Sequence, residues 1–78
     1  IYPNPTTGEF IIQHKSINND IQRIKVVDLQ GRLIEQRKVK YINGILYEKF
    51  DLSDLSSGIY LIELSAKKGI TQKKVILY

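Results

Sequence analysis

Cysteine, methionine and tryptophan are absent from this chain, histidine occurs once and proline twice. Without cysteine there is neither a disulfide nor a thiolate metal site to supplement the core, and no cysteine nucleophile. No apolar run approaches the ~20 residues that a transmembrane helix needs, so membrane insertion is not expected. The chain opens with neither a basic-then-apolar leader nor an initiator Met. It therefore reads as a segment of a larger protein, with any targeting signal upstream. With 78 residues it is expected to form one domain. A domain of this size buries only roughly 60% of the surface of its unfolded chain, which leaves a thin core.

What is present is ordinary in proportion: 42% hydrophobic and 26% charged residues. The net charge is +4, but the Lys and Arg residues are spread along the whole length. Local clusters occur at Lys38 and Lys40, Lys67 and Lys68, and Lys73 and Lys74, each near the end of an expected strand. Nucleic-acid binding would call for a basic stripe interleaved with aromatics, or a known motif, and neither is here. Charged strand edges that resist unwanted pairing account for these lysines more simply.

Apolar residues recur with the period of strands. Phe10 and Ile12 alternate with Ile11 and Gln13, and Ile24 and Val26 with Lys25 and Val27. Leu46, Glu48, Phe50 and Leu52 share one face. Tyr60, Ile62 and Leu64 form the most apolar row, opposite Ile59, Leu61 and Glu63, which predicts a central strand covered on much of both sides. In the final run Val75 pairs with Leu77 and Ile76 with Tyr78. Enrichment in Ile, Val, Tyr and Phe agrees with strands, and no window sustains helical spacing.

Turn chemistry separates these runs. Pro3-Asn4-Pro5-Thr6-Thr7-Gly8 denies backbone donors at two positions and allows a positive φ at Gly8. Asn18-Asn19-Asp20 is a polar break. Asp28-Leu29-Gln30-Gly31 has the Asp and Gly of a type I turn between antiparallel strands. Asn43-Gly44 is the strongest two-residue hairpin signal. Asp51 to Gly58 has room for one helical turn capped by Asp51 or Ser53, with Leu55 pointing inward. Lys67-Lys68-Gly69 closes the last hairpin. Six to seven short strands without a long helix predict a small all-β antiparallel sandwich, because one sheet alone could not bury both apolar rows.

Residues with possible chemistry have simpler explanations. A Ser–His–Asp set could be drawn from Ser53, Ser56, Asp54 and His14, but no motif places the serine or orients the histidine. His14 continues the Phe10–Ile12 row as a strand-end residue. Asp51, Ser53 and Asp54 offer oxygens to calcium, yet without the alternate spacing of an EF-hand loop, and turn capping uses the same residues. Glu9, Glu35, Glu48 and Glu63 lie in separate strands, and so small a domain lacks a cleft for a glycosidase pair. No metal, cofactor or catalytic residue is expected. Carbohydrate binding would need exposed aromatics, for which only Tyr41 and Tyr47 are candidates; packing is the commoner role of tyrosine in strands.

Four features in order give the chain a likeness. Tyr2-Pro3-Asn4-Pro5 with Gly8, Val26-Val27-Asp28-Leu29-Gln30-Gly31-Arg32, Leu55-Ser56-Ser57-Gly58-Ile59-Tyr60 and Lys73-Lys74-Val75-Ile76-Leu77 run through the chain in that sequence. In this the chain resembles the C-terminal sorting domains, type A, of proteins exported by the type IX secretion system of Bacteroidetes. One mild departure is Val27, where the family often has an aromatic.

The resemblance implies an immunoglobulin-like sandwich at the end of a larger cargo that carries an ordinary signal peptide upstream. It implies passage through the periplasm and recognition of the folded domain by the outer-membrane secretion translocon. A sortase-like peptidase then usually removes the domain, and the cargo is attached at the cell surface or released. The candidate recognition residues are Lys73, Lys74, Val75, Ile76, Leu77 and Tyr78, because a signal made of the last strand is complete only when synthesis is complete. The unpaired backbone groups of an edge strand would offer a docking surface. Pro3, Asn4, Pro5, Gly8, Asp28, Gly31, Leu55, Gly58 and Tyr60 are expected to serve the fold. The reading is of a non-enzymatic sorting module; the alternative is a carbohydrate-binding or adhesion sandwich of a secreted enzyme, and a small hydrolase comes third.

Overall fold

A computed structural model describes residues 1–18 and 20–78. Six strands form: β1 (Glu9–Lys15), β2 (Ile21–Asp28), β3 (Leu33–Lys38), β4 (Ile45–Asp51), β5 (Gly58–Ala66) and β6 (Gly69–Leu77); the alternating rows lie in all but β3. They form a two-stranded sheet, β1-β4, and a four-stranded sheet in the order β3-β2-β5-β6, with every strand pair antiparallel. The small all-β sandwich expected from the sequence is therefore present.

The core lies between the sheets. Phe10, Ile12, Leu46, Phe50 and Leu52 face it from one side, and Ile24, Val26, Tyr60, Ile62, Val75 and Leu77 from the other. Phe10 and Phe50 are register partners whose rings stack with centroids 5.4 Å apart. Burying such a side chain stabilises the fold by roughly 1.5–3 kcal/mol, so these rows account for most of the driving force.

Two turns form as the sequence predicts. Gly31 N–H donates to Asp28 O (3.0 Å) between the paired strands β2 and β3. Lys67-Lys68 forms the two-residue loop of the β5–β6 hairpin, where Ala66 opposes Gly69.

Other expectations need correction. Asn43 (φ 52°) and Gly44 (φ 79°) make the tight turn, but the flanking strands diverge: β3 joins the four-stranded sheet and β4 the other. Only Ile42 and Ile45 pair across it, so the turn passes the chain between sheets. Between Asp51 and Gly58 the expected turn is a single hydrogen-bonded one, Leu55 N–H to Leu52 O (3.0 Å), that does not extend into a helix; Asp51 caps it, its Oδ1 accepting from Ser53 N–H (2.9 Å) and from Ser53 Oγ. Leu55 does point inward, half-buried against the core. β5 is central, but among the described residues only one of its faces is covered by a second layer. Ile59, Leu61 and Glu63 lie on the outer face, intermediate or exposed. Of the polar break Asn18-Asn19-Asp20, Asn19 lies outside the described residues.

Candidate functional site

The last strand has two halves. Val75 and Leu77 are 0% and 3% exposed, whereas every residue from Gly69 to Lys74 is exposed. The register sets which face of the sheet each residue takes. Val75 opposes Tyr60 and Lys73 opposes Ile62, so Lys73 shares the core-facing side of β6 with Val75. Lys74 opposes Leu61 and lies on the outer face. The two adjacent lysines thus flank one edge strand on opposite sides.

The free edge of β6 is only partly free. The opening segment lies along it: Thr6 N–H donates to Ile76 O (2.8 Å) and Tyr78 N–H to Thr6 O (2.9 Å), a parallel bridge between Thr6 and Leu77. Asn4 extends the pairing with its side chain, which mimics a peptide group. Its Nδ2 donates to Lys74 O (2.8 Å) and its Oδ1 accepts from Ile76 N–H (3.0 Å). This corrects the expectation of an open docking row along the terminal run, because Asn4 and Thr6 occupy the edge from Lys74 O to Tyr78. Prolines suit the segment because the positions flanking Asn4 then present no competing N–H. Pro3 and Pro5 are exposed, and both of their preceding peptide bonds are cis.

Two residues further back, Tyr2 exchanges hydrogen bonds with Ile11 of β1 (2.9 and 2.7 Å). The first eight residues therefore tie the edge of one sheet to the edge of the other. Thr6 is 2% exposed; its Oγ1 donates to Glu9 O (2.6 Å) and accepts from Gly8 N–H (3.1 Å). Gly8 must be small: a Cβ there would lie 2.7 Å from Ser53 Cβ, where Gly8 O accepts from Leu52 N–H.

The remaining signature residues support the same strand. Asp28, Tyr60 and Val75 lie on one rung of β2, β5 and β6. Tyr60 Oη donates to Ser56 O (2.6 Å), which fixes the loop before Gly58, and Gly58 opposes Leu77. Asp28 Oδ1 accepts from the N–H groups of Gln30 and Arg32 (both 2.9 Å), and Oδ2 pairs with Arg32 Nε (2.7 Å). The Arg32 N–H bond, aided by the guanidinium, holds the Asp28 carboxyl below the usual aspartate range. Gly31 has φ 85°, which a β-branched residue adopts only with strain.

The other candidates do not converge. His14 Nδ1 is bonded to Tyr41 Oη (2.7 Å), and the same Oη accepts from Ile21 N–H (3.2 Å). Tyr41 is thereby packed at one end of the sandwich, while Tyr47 is exposed. Among the described residues no three His, Cys, Asp or Glu side chains gather as metal ligands.

Reading by pattern missed Thr6 and Arg37. Nothing in the polarity of Thr6 signals burial. Arg37 follows Glu35 on β3 and reads as surface charge, yet it faces inward opposite Ile24. It reaches Glu48 Oε1 (3.1 Å) and Lys49 O (2.9 Å) and lies 3.9 Å above the Phe50 ring, closing the β3/β4 side of the sandwich.

Comparison with curated proteins found no match. The family model described as Secretion system C-terminal sorting domain matches residues 1–78, the residues that carry all four signature features. The chain belongs to that family, and it is the sorting-signal part of a cargo that the type IX secretion system exports to the cell surface or the medium.

Proposed function

We propose that the outer-membrane translocon reads this domain at β6 and at the segment clasped to it, while the cargo is in transit through the periplasm. A sortase-like peptidase then removes the domain. The domain itself does no chemistry: its role is to be folded, complete and recognised. One observation carries this reading. The opening residues Asn4 and Thr6 bond to the closing residues Lys74, Ile76 and Tyr78, so both ends of the tag form one structure. Val75 and Leu77 sit in the core, so a chain lacking its last strand lacks a folded tag. Placement of His14 against Tyr41, and of Ser53 against Asp51, supports a non-enzymatic role, since each is engaged in packing or turn formation.

A fluorescent reporter placed ahead of residue 1, with a signal peptide and a Bacteroidetes host, tests the proposal. The domain should carry the reporter to the medium or surface. A chain ending at Gln72 should leave it in the periplasm, and full secretion of that chain would sink the proposal. Because that truncation also removes core residues, the informative partner is the double variant Lys73→Ala/Lys74→Ala. It should melt like the parent yet secrete less.

A further inference from the structure

The clasp ends at Lys74, and the next stretch of the same edge is open. Ile76 and Tyr78 turn their backbone groups away from β5, toward Thr6. By the alternation of an antiparallel ladder, Ile70, Gln72 and Lys74 N–H point the same way. No strand pairs with them among the described residues. Beside this edge the sheets part to form a cleft of about 680 Å³. Ile21 and Leu64 line its floor, and Lys67, Lys68 and Lys73 its rim. Among the described residues Asp20 is the one carboxylate on that rim. Among the described residues none of Lys67, Lys68, Lys73 and Lys74 pairs with a carboxylate, whereas Arg32, Arg37 and Lys49 all do.

We propose that this open edge, from Ile70 to Lys74, binds an acidic polypeptide segment of a partner protein as an added strand. The inference rests on the sorting reading and names the chemistry of the partner. An added strand would satisfy the outward groups of Ile70 and Gln72 and the outward N–H of Lys74. Two consecutive carboxylates on it would project to opposite faces, one toward Lys73 above the cleft and one toward Lys74 on the outer face. A neighbouring apolar side chain would enter the cleft over Leu64. The adjoining clasp shows that this edge accepts a parallel segment. A second copy of the chain is the poorer occupant, because two molecules of net charge +4 repel.

The test is a fluorescence-anisotropy titration of the 78-residue chain with a labelled peptide, Thr-Val-Glu-Glu-Val-Thr, at low and high salt, with amide shifts followed by NMR. Saturable binding is expected, with shifts centred on residues 70–74. Replacing both Glu by Gln, or using Lys73→Ala/Lys74→Ala, should weaken it about tenfold, as should high salt. Gln72→Pro removes an outward N–H while sparing the ladder to β5, and should weaken binding comparably. If that variant does not fold, a peptide N-methylated at alternate amides removes the same bonds from the other side. Absence of saturable binding, equal binding of the Gln peptide, or no effect of either backbone change would overturn the proposal. Binding to phosphatidylglycerol vesicles without binding to the peptide would also overturn it, in favour of a membrane surface.

The reporter assay separates this result from the sorting reading. If the peptide fails while the chain ending at Gln72 is retained, sorting stands and the acidic partner falls. If the peptide binds while that truncated chain is fully secreted, the binding edge stands and sorting falls.

Discussion

The two halves of β6 share one strand and one neighbour but do different things. From Val75 to Leu77 the strand is packed beneath β1 and β4 and clasped along its edge by Asn4 and Thr6. From Gly69 to Lys74 it runs past the covering layer, with exposed side chains and an open edge. The β5 partners divide further along: Tyr60 opposite Val75 and Ile62 opposite Lys73 are both buried, while Leu64, Ser65 and Ala66 opposite Thr71, Ile70 and Gly69 are only partly covered. A strand divided in this way can contribute to stability at one end and to recognition at the other. On the proposed reading, fold and signal, although merged in sequence, should be separable by mutation.

Substitutions along the packed half should have the largest effects. Tyr60→Ala empties the position opposite Val75 and loses the bond to Ser56 O, and should cost about 3–5 kcal/mol. In a domain of this size that approaches the whole stability. Leu77→Ala should cost about 2–5 kcal/mol by the same cavity mechanism. Denaturant melts measure both, and an unchanged midpoint for either would show that this half is not core. Export should fall together with stability in both variants.

Asn4→Ala comes next. It removes two side-chain hydrogen bonds at the exposed clasp, a loss of about 1–2 kcal/mol. Hydrogen exchange should then speed up at Ile76 and leave Ile62 protected. Uniform acceleration would mean that the clasp is not a local feature.

Acid should loosen the packed end first. Asp28 is on the rung of Tyr60 and Val75, and its folded pKa is lowered, chiefly by the Arg32 N–H bond. A lowered folded pKa means that the stabilising effect is complete above the unfolded value near 3.8 and disappears as pH falls through the folded value. Asp51 shifts in the same direction through its bonds from Ser53. Melting temperature should therefore decline below about pH 4, and Asp28→Asn should flatten part of that decline. A variant with the parental pH profile would remove Asp28 from the account.

The smallest stability effect belongs to the open half. Lys73→Ala/Lys74→Ala should change stability by about 0–1 kcal/mol, since among the described residues neither ammonium is paired. Reduced secretion at that small cost would sharpen the division, whereas normal secretion would show that the charges are not read.

Pattern and turn chemistry were enough to reveal the inward rows of β1, β2, β4, β5 and the end of β6, the Asp28–Gly31 turn and the Lys67-Lys68 hairpin, but no row for β3, which has no buried residue. These depend on residues close in sequence, where side-chain alternation and preferred φ values act directly. The four signature features were legible through the resemblance to the sorting-domain family.

Which sheet each strand joins was decided only in three dimensions. Asn43-Gly44 specifies a sharp reversal, but nothing local specifies whether the strands on either side pair with each other or part. Likewise the burial of Thr6 and the inward placement of the partly covered Arg37 follow from partners in other strands or in later residues, at Glu9, Glu48 and Phe50. Above all, the bond between the beginning and the end of the chain, from Asn4 to Ile76, spans almost its whole length. Contacts at such separation follow from how the sheets pack, because the backbone groups of an edge strand accept any segment that the fold brings beside them.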